Sequence, residues 1–190
     1  PDSPINVVIE DNVNKNILYV GNDHGVYISL DQGKNWEPFS KGLTSAAVHD
    51  LVIQTDEKHL LVGTHGRSIY LADIKKIQDL SDEILESSLY LYPLNNIKKS
   101  DSWGVQRSIW SQAYAPKLDI TLFSSLSTNY NISINDSNGN NVYKSEGKLD
   151  KGFNFVNYDL MDNNEYLDKG LYKVLIITDN DNLEKEFQIQ

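Results

Sequence analysis

Short apolar segments recur along the first 73 residues, separated by polar or glycine-containing turns. One stretch reads Ile5–Glu10, then Ile17-Leu18-Tyr19-Val20-Gly21, then His24-Gly25-Val26-Tyr27-Ile28. A second reads Asp50-Leu51-Val52-Ile53, then His59-Leu60-Leu61-Val62-Gly63, then His65-Gly66-Arg67-Ser68-Ile69-Tyr70. Runs this short, rich in β-branched and aromatic residues, predict strands rather than helices. The first copy has room for four, near 5–10, 17–21, 25–29 and 35–39, and the second shows three, near 49–54, 59–63 and 68–73. Gly21 and Gly63 lie 42 residues apart, Tyr27 and Tyr70 43. A repeat of that period built from short strands predicts successive blades of a β-propeller.

The pattern then changes twice. Ile74, Ile77, Leu80, Ile84 and Leu85 fall at helical spacing with charged residues between them. This predicts an amphipathic helix or two short ones over 75–87, with Ser81 as an N-cap for the second. From Ser88 onward the chain is again strand-like. Leu118–Phe123 alternates with period two, and Tyr130–Ile134 pairs with Val142–Lys144 through Asn138-Gly139, a favoured hairpin turn. Gly152–Leu160, Gly170–Ile177 and Lys185–Ile189 follow, and strands at this spacing predict a β-sandwich. The expected fold class is all-β. Residues 1–74 form about two blades of a partial propeller, 75–87 a helical connector and 88–190 an immunoglobulin-like sandwich.

One segment carries a specific motif. Ser29-Leu30-Asp31-Gln32-Gly33-Lys34-Asn35-Trp36 resembles the Asp-box, S-x-D-x-G-x-[TN]-W, of sialidase-like, sortilin-like and bacterial repeat propellers. Ser and Asp can satisfy backbone N–H groups across a tight turn, and Gly33 can take positive φ. Trp36 is expected to begin the outer strand and bury its ring between neighbouring strands. Gly63-Thr64-His65-Gly66-Arg67-Ser68-Ile69-Tyr70 resembles the terminal-blade phrase of the same family, G-T-H-G-R-G-I-Y, with Ser68 in place of the second Gly. The later strands are similar to immunoglobulin-like modules that follow such propellers, with Tyr158 where their G-x-N-x-x-x-W-D-L strand has Trp and Lys169 where their Pro-Gly-x-Tyr strand has Pro. The resemblance implies the C-terminal part of an exported bacterial protein, extracellular, periplasmic or on the cell surface. Its expected partners are upstream propeller blades. The opening Pro1-Asp2-Ser3-Pro4 fits a fragment of a longer chain.

Charge narrows the remaining choices. The net charge is −10, with 14 acidic against 7 basic side chains in residues 1–87 and 13 against 10 in residues 88–190. Neither part offers a basic face, so nucleic acid and anionic membrane are not expected partners. The absence of Cys excludes disulfides, thiolate metal sites and a Cys nucleophile. No apolar run approaches the roughly 20 residues of a membrane helix.

Candidate chemistry is sparse. No G-x-S-x-G, phosphate-binding Gly loop or H-E-x-x-H occurs. Asp23, His24, His65 and Arg67 are the nominated ligand-binding residues, because both His-Gly turns follow the second strand of their blade. The competing reading gives them turn-closing and salt-bridging roles. An Arg fork and neutral His suit a carbohydrate or a peptide carboxylate. Ser29, Asp31, Gly33 and Trp36 are read as structural. Asp136, Asn138 and Asn140 mimic the start of a calcium loop, but Asn141 and Gly147 stand where Gly and Glu are required. That segment is read as a hairpin turn. No metal, cofactor or catalytic residue is assigned. The leading function is a non-catalytic scaffold or interaction module. The alternative is the C-terminal part of a glycoside hydrolase whose active site lies on other blades.

Overall fold

The computed structural model describes residues 3–39, 42–43 and 45–190, so Pro1 and Asp2 of the opening segment lie outside the described residues. The described residues are all-β apart from two short helices. The chain divides into two compact units, Pro1–Ser81 and Asp82–Gln190.

The first unit holds two antiparallel meanders. β1 (Ile5–Glu10), β2 (Leu18–Asn22), β3 (Gly25–Ser29) and β4 (Glu37–Pro38) form one sheet in chain order. β5 (Val48–Gln54), β6 (His59–Thr64) and β7 (Ile69–Asp73) form the next. The two sheets repeat each other closely. Val7, Gly21 and Val26 pair across the first as Asp50, Gly63 and Ile69 pair across the second. Each opening strand carries one register irregularity, between Ile5 and Val7 and between Val48 and Asp50. Asn6 and His49 are therefore equivalent extra residues.

Because directly paired residues share a face, the packing can be read from the register. One face of the first sheet presents Val7, Gly21 and Val26 together with Ile9, Tyr19 and Ile28. The second sheet packs against it. A Cβ placed on Gly21 would lie 2.5 Å from Val48 Cγ1 and 2.7 Å from Val7 Cγ1. Only glycine lets Val48, itself fully buried, seat at that point. Tyr19, Val26 and Ile28 are buried on one side of this layer, and Val48, Leu51, Leu60 and Val62 on the other.

The predicted connector is two separate short helices, α1 (Lys75–Gln78) and α2 (Asp82–Glu86). Asp73 Oδ1 accepts the Lys75 N–H at 2.9 Å at the start of α1. Ile74, Ile77 and Leu80 are buried, and α1 is tied to the β1–β2 loop by polar contacts. Gln78 Nε2 donates to both oxygens of the buried Asp11 carboxylate at 3.0 and 3.2 Å, and Asn14 Nδ2 donates to the Leu80 carbonyl at 2.7 Å. α2 belongs to the second unit.

The second unit is two sheets around one core. β8 (Leu89–Leu91), β9 (Leu118–Ser124) and β12 (Gly152–Tyr158) form a sheet in the order β12-β9-β8. β10 (Thr128–Asp136), β11 (Asn141–Leu149), β15 (Gly170–Thr178) and β16 (Asn182–Ile189) form the other, in the order β11-β10-β15-β16. Leu118, Ile120 and Leu122 pack with Ile132, Ile134, Val174, Ile176 and Phe187 between them. β13 (Met161–Asp162) and β14 (Glu165–Tyr166) make a small hairpin whose turn residues, Asn163 and Asn164, both have positive φ. Asn tolerates that conformation better than most residues. The residues that carry the sandwich resemblance act as fasteners. Asn154 clamps the turn before β12 through Asp150 N and the Asp150 and Gly152 carbonyls. Tyr158 is buried and donates its hydroxyl to the Met161 carbonyl at 2.8 Å, and Tyr172 donates to the Asp168 carbonyl at 2.9 Å. Burial raises both phenol pKa values.

Candidate functional site

The Asp-box segment folds into the tight turn between β3 and β4. Ser29 Oγ accepts the Gly33 N–H at 2.8 Å and donates to Asp31 Oδ1 at 2.8 Å. Asp31 then accepts the backbone N–H of Asn35 at 2.9 Å and its side-chain amide at 2.6 Å. Those Asn35 donors hold the Asp31 carboxyl down to about 2, below the usual carboxylate range. Gln32 and Gly33 both have positive φ. Both carboxylate oxygens of Asp31 are thus spent on the turn, which is a structural use.

Trp36 differs from expectation. It precedes β4 instead of starting it, is only partly buried, and sends Nε1 back to the Gly33 carbonyl at 3.0 Å. A Cβ on Gly33 would lie 3.6 Å from Trp36 Cζ2. The ring covers its own turn because β4 is only two residues long and offers little surface to bury it against.

The nominated ligand residues occupy the β2–β3 and β6–β7 turns, and Asp23, His24, His65 and Arg67 are all exposed. Asp23 accepts from Asn6 Nδ2 at 2.9 Å, and Asn6 also donates to the Val48 carbonyl at 3.2 Å. The His65 ring lies 5.5 Å from that of His49, tilted by 59°. Its backbone N–H donates to the Ala47 carbonyl at 2.8 Å. The two extra residues, Asn6 and His49, therefore join this rim. Sequence patterning missed both, since an irregular register leaves no periodic signal. The 43-residue offset that aligns Ile5 with Val48 would have paired them.

The two His-Gly turns are not register-equivalent. Asn22 pairs with Gly25 across a two-residue turn, whereas Thr64 N donates to the Ser68 carbonyl across three residues, His65, Gly66 and Arg67. Ser68 is thus the counterpart of Gly25, and both have φ of 146°. Asn22 is fully buried and its Oδ1 accepts the His24 and Gly25 N–H groups. Its Nδ2 has no hydrogen-bond partner.

Elsewhere, the segment that mimics a calcium loop is a closed turn. Asp136 Oδ1 accepts the Asn138 and Asn140 N–H groups, and Asn140 Nδ2 caps Oδ2 at 2.9 Å. Among the described residues, no group of three or more His, Asp or Glu is placed to hold a metal ion. No described helix is long and apolar enough to cross a membrane. The chain matches no protein-family model and no curated protein sequence.

Proposed function

We propose that the two meanders are closing blades of an Asp-box propeller, and that the second unit is an immunoglobulin-like sandwich. Together they form a non-catalytic interaction module of an exported bacterial protein, exposed outside the cell or in the periplasm. The rim of His24, Asp23, His65 and Arg67, joined by His49, takes a polar ligand, either a carbohydrate or a peptide carboxylate. The observation that carries this reading is the exposure of His65 and Arg67 on the turn beside His49. Their side chains are not used up in backbone contacts, as those of the Asp-box are. Arg67 offers a planar fork of donors, and imidazole donates and accepts at once. The Tyr172–Asp168 contact supports the sandwich assignment, since such a tyrosine tie recurs in immunoglobulin-like domains.

The test is a backbone-amide NMR titration with N-acetylneuraminic acid and, separately, with a short peptide bearing a free C-terminal carboxylate. Shifts confined to residues 22–25, 49 and 64–68, abolished in His65→Ala/Arg67→Ala, are expected for at least one ligand. No shifts with either, or unchanged shifts in the double variant, would overturn the site. Turnover of aryl glycosides by the chain would replace it with the hydrolase reading.

A further inference from the structure

The extra residue in the opening strand of each meander differs in chemistry between the two. Asn6 fills that place in the first and His49 in the second. Asn6 is occupied, since its amide donates to Asp23 Oδ1 at 2.9 Å and to the Val48 carbonyl at 3.2 Å. His49 instead lies beside a second imidazole, that of His65, with 5.5 Å between ring centroids. Both rings are exposed, and among the described residues neither enters a hydrogen bond.

Both histidines are also fixed at the backbone. His49 stands between Val48 and Asp50, which pair with Thr64 and Gly63, and the His65 N–H donates to the Ala47 carbonyl at 2.8 Å. Zinc and similar divalent ions bind an imidazole nitrogen at about 2.0–2.1 Å, so two imidazoles on one tetrahedral ion hold their ring centroids about 5–5.5 Å apart. The His49–His65 spacing falls at that value. Tilted rings suit it, because each imidazole need aim only one nitrogen at the ion. Charge points the same way. Residues 1–87 carry 14 acidic side chains against 7 basic, a field that attracts cations and repels a carboxylate.

We infer that His49 and His65 together bind a divalent transition-metal ion, and that this ion receives the carboxylate of the rim's ligand. Imidazole pairs suit copper, nickel and zinc, with copper held most tightly. Among the described residues no third His, Asp or Glu is grouped with the pair, so coordination positions stay open for a ligand's oxygens. Arg67, two residues beyond His65, supplies a donor fork to the remaining carboxylate oxygen. The ion thereby reconciles an anionic ligand with an acidic unit. The inference rests on the rim as the ligand site, and it selects a carboxylate-bearing ligand over a neutral carbohydrate.

Titration of the full chain with CuCl2, followed by electron paramagnetic resonance, tests the metal step. One ion per chain is expected, with hyperfine structure from two imidazole nitrogens. His65→Ala should weaken binding at least about tenfold and leave a one-nitrogen signal. His49→Asn, which installs the residue the first meander already carries at that place, should do the same. His59→Ala, at the opposite end of β6 from Thr64, should change neither affinity nor signal. A wild-type signal from fewer than two nitrogens, or one unchanged in both rim variants, overturns the site. The ligand step is read by amide NMR titration with the peptide carboxylate, with and without one equivalent of ZnCl2. Binding at least about fivefold tighter with zinc is expected, and the gain should vanish in His49→Asn. Two-nitrogen copper binding without any effect of zinc on the peptide overturns the ion's role in ligand capture. Rim shifts that ignore zinc and survive His49→Asn overturn the metal's role and leave the rim standing. No shifts with the peptide or N-acetylneuraminic acid, with zinc or without, remove the rim as well.

Discussion

Ser68 holds a backbone conformation that its counterpart in the first meander meets with glycine. Both Ser68 and Gly25 have φ of 146°, a region that residues bearing a Cβ rarely adopt. Ser68 is held there because its carbonyl accepts both the Thr64 N–H at 3.2 Å and the Thr64 hydroxyl at 2.6 Å, closing the turn. Strain of this kind costs about 1–3 kcal/mol. Ser68→Gly removes it, while the freer unfolded chain takes back roughly 0.5–1 kcal/mol. From the middle of these ranges the net gain expected is about 1 kcal/mol, a rise of roughly 4–8 °C in the melting temperature of a unit this size. The side chain is exposed, so no packing is lost. Calorimetry on Ser68→Gly and on the mirror variant Gly25→Ser measures both directions. Gly25→Ser should lose about 1–3 kcal/mol. A Ser68→Gly variant no more stable than wild type would refute the strain argument.

Three further outcomes follow from the same geometry. Asp11→Ala removes the acceptor of the part-buried Val13 and Asn14 N–H bonds and the main acceptor of the buried Gln78 amide, and should cost about 1–3 kcal/mol in urea unfolding; a loss under about 0.5 kcal/mol would show that water replaces the carboxylate. Because Asp31 is held down to about 2, its stabilisation is complete above roughly pH 4 and disappears as pH falls through its folded value. The stability gap between wild type and Asp31→Asn should therefore narrow from pH 4 to pH 2, and a widening gap would have the wrong sign. Tyr172→Phe removes the donor to the Asp168 carbonyl and should cost the second unit about 1 kcal/mol, followed through Trp103 fluorescence, with an unchanged midpoint counting against the tie.

Much of the fold was legible because its signals are local. The strand positions of both meanders follow from the spacing of apolar runs, and the β10–β11 hairpin from Asn138-Gly139. β8 was not readable: three residues, Leu89–Leu91, gain strand character only by pairing with β9, which begins 27 residues after β8 ends. The β13–β14 hairpin was missed because its turn is Asn163-Asn164 instead of a glycine pair. At the rim, residue type sufficed to nominate His65 and Arg67, but Asn6 and His49 arrive through strand irregularities. The partial burial of Trp36 was likewise hidden from the motif, since the motif fixes the turn and not the extent of the sheet beside it.

The one-residue difference between the repeat's two offsets marks where this architecture tolerates change in length. The second meander has a shorter first connection and a longer second one, yet the cross-strand partners of Gly21 and Gly63 correspond one for one. Length can therefore vary at the turn without reaching the sheet. Gly66, at the tip of the longer turn, has open space around it, with nothing within 4 Å of an added Cβ. A peptide inserted there would add about 0.6 kcal/mol of closure cost for each doubling of loop length. The β6–β7 turn is thus the natural point at which to graft a foreign epitope, and the place where related sequences can acquire new specificities without rebuilding the scaffold.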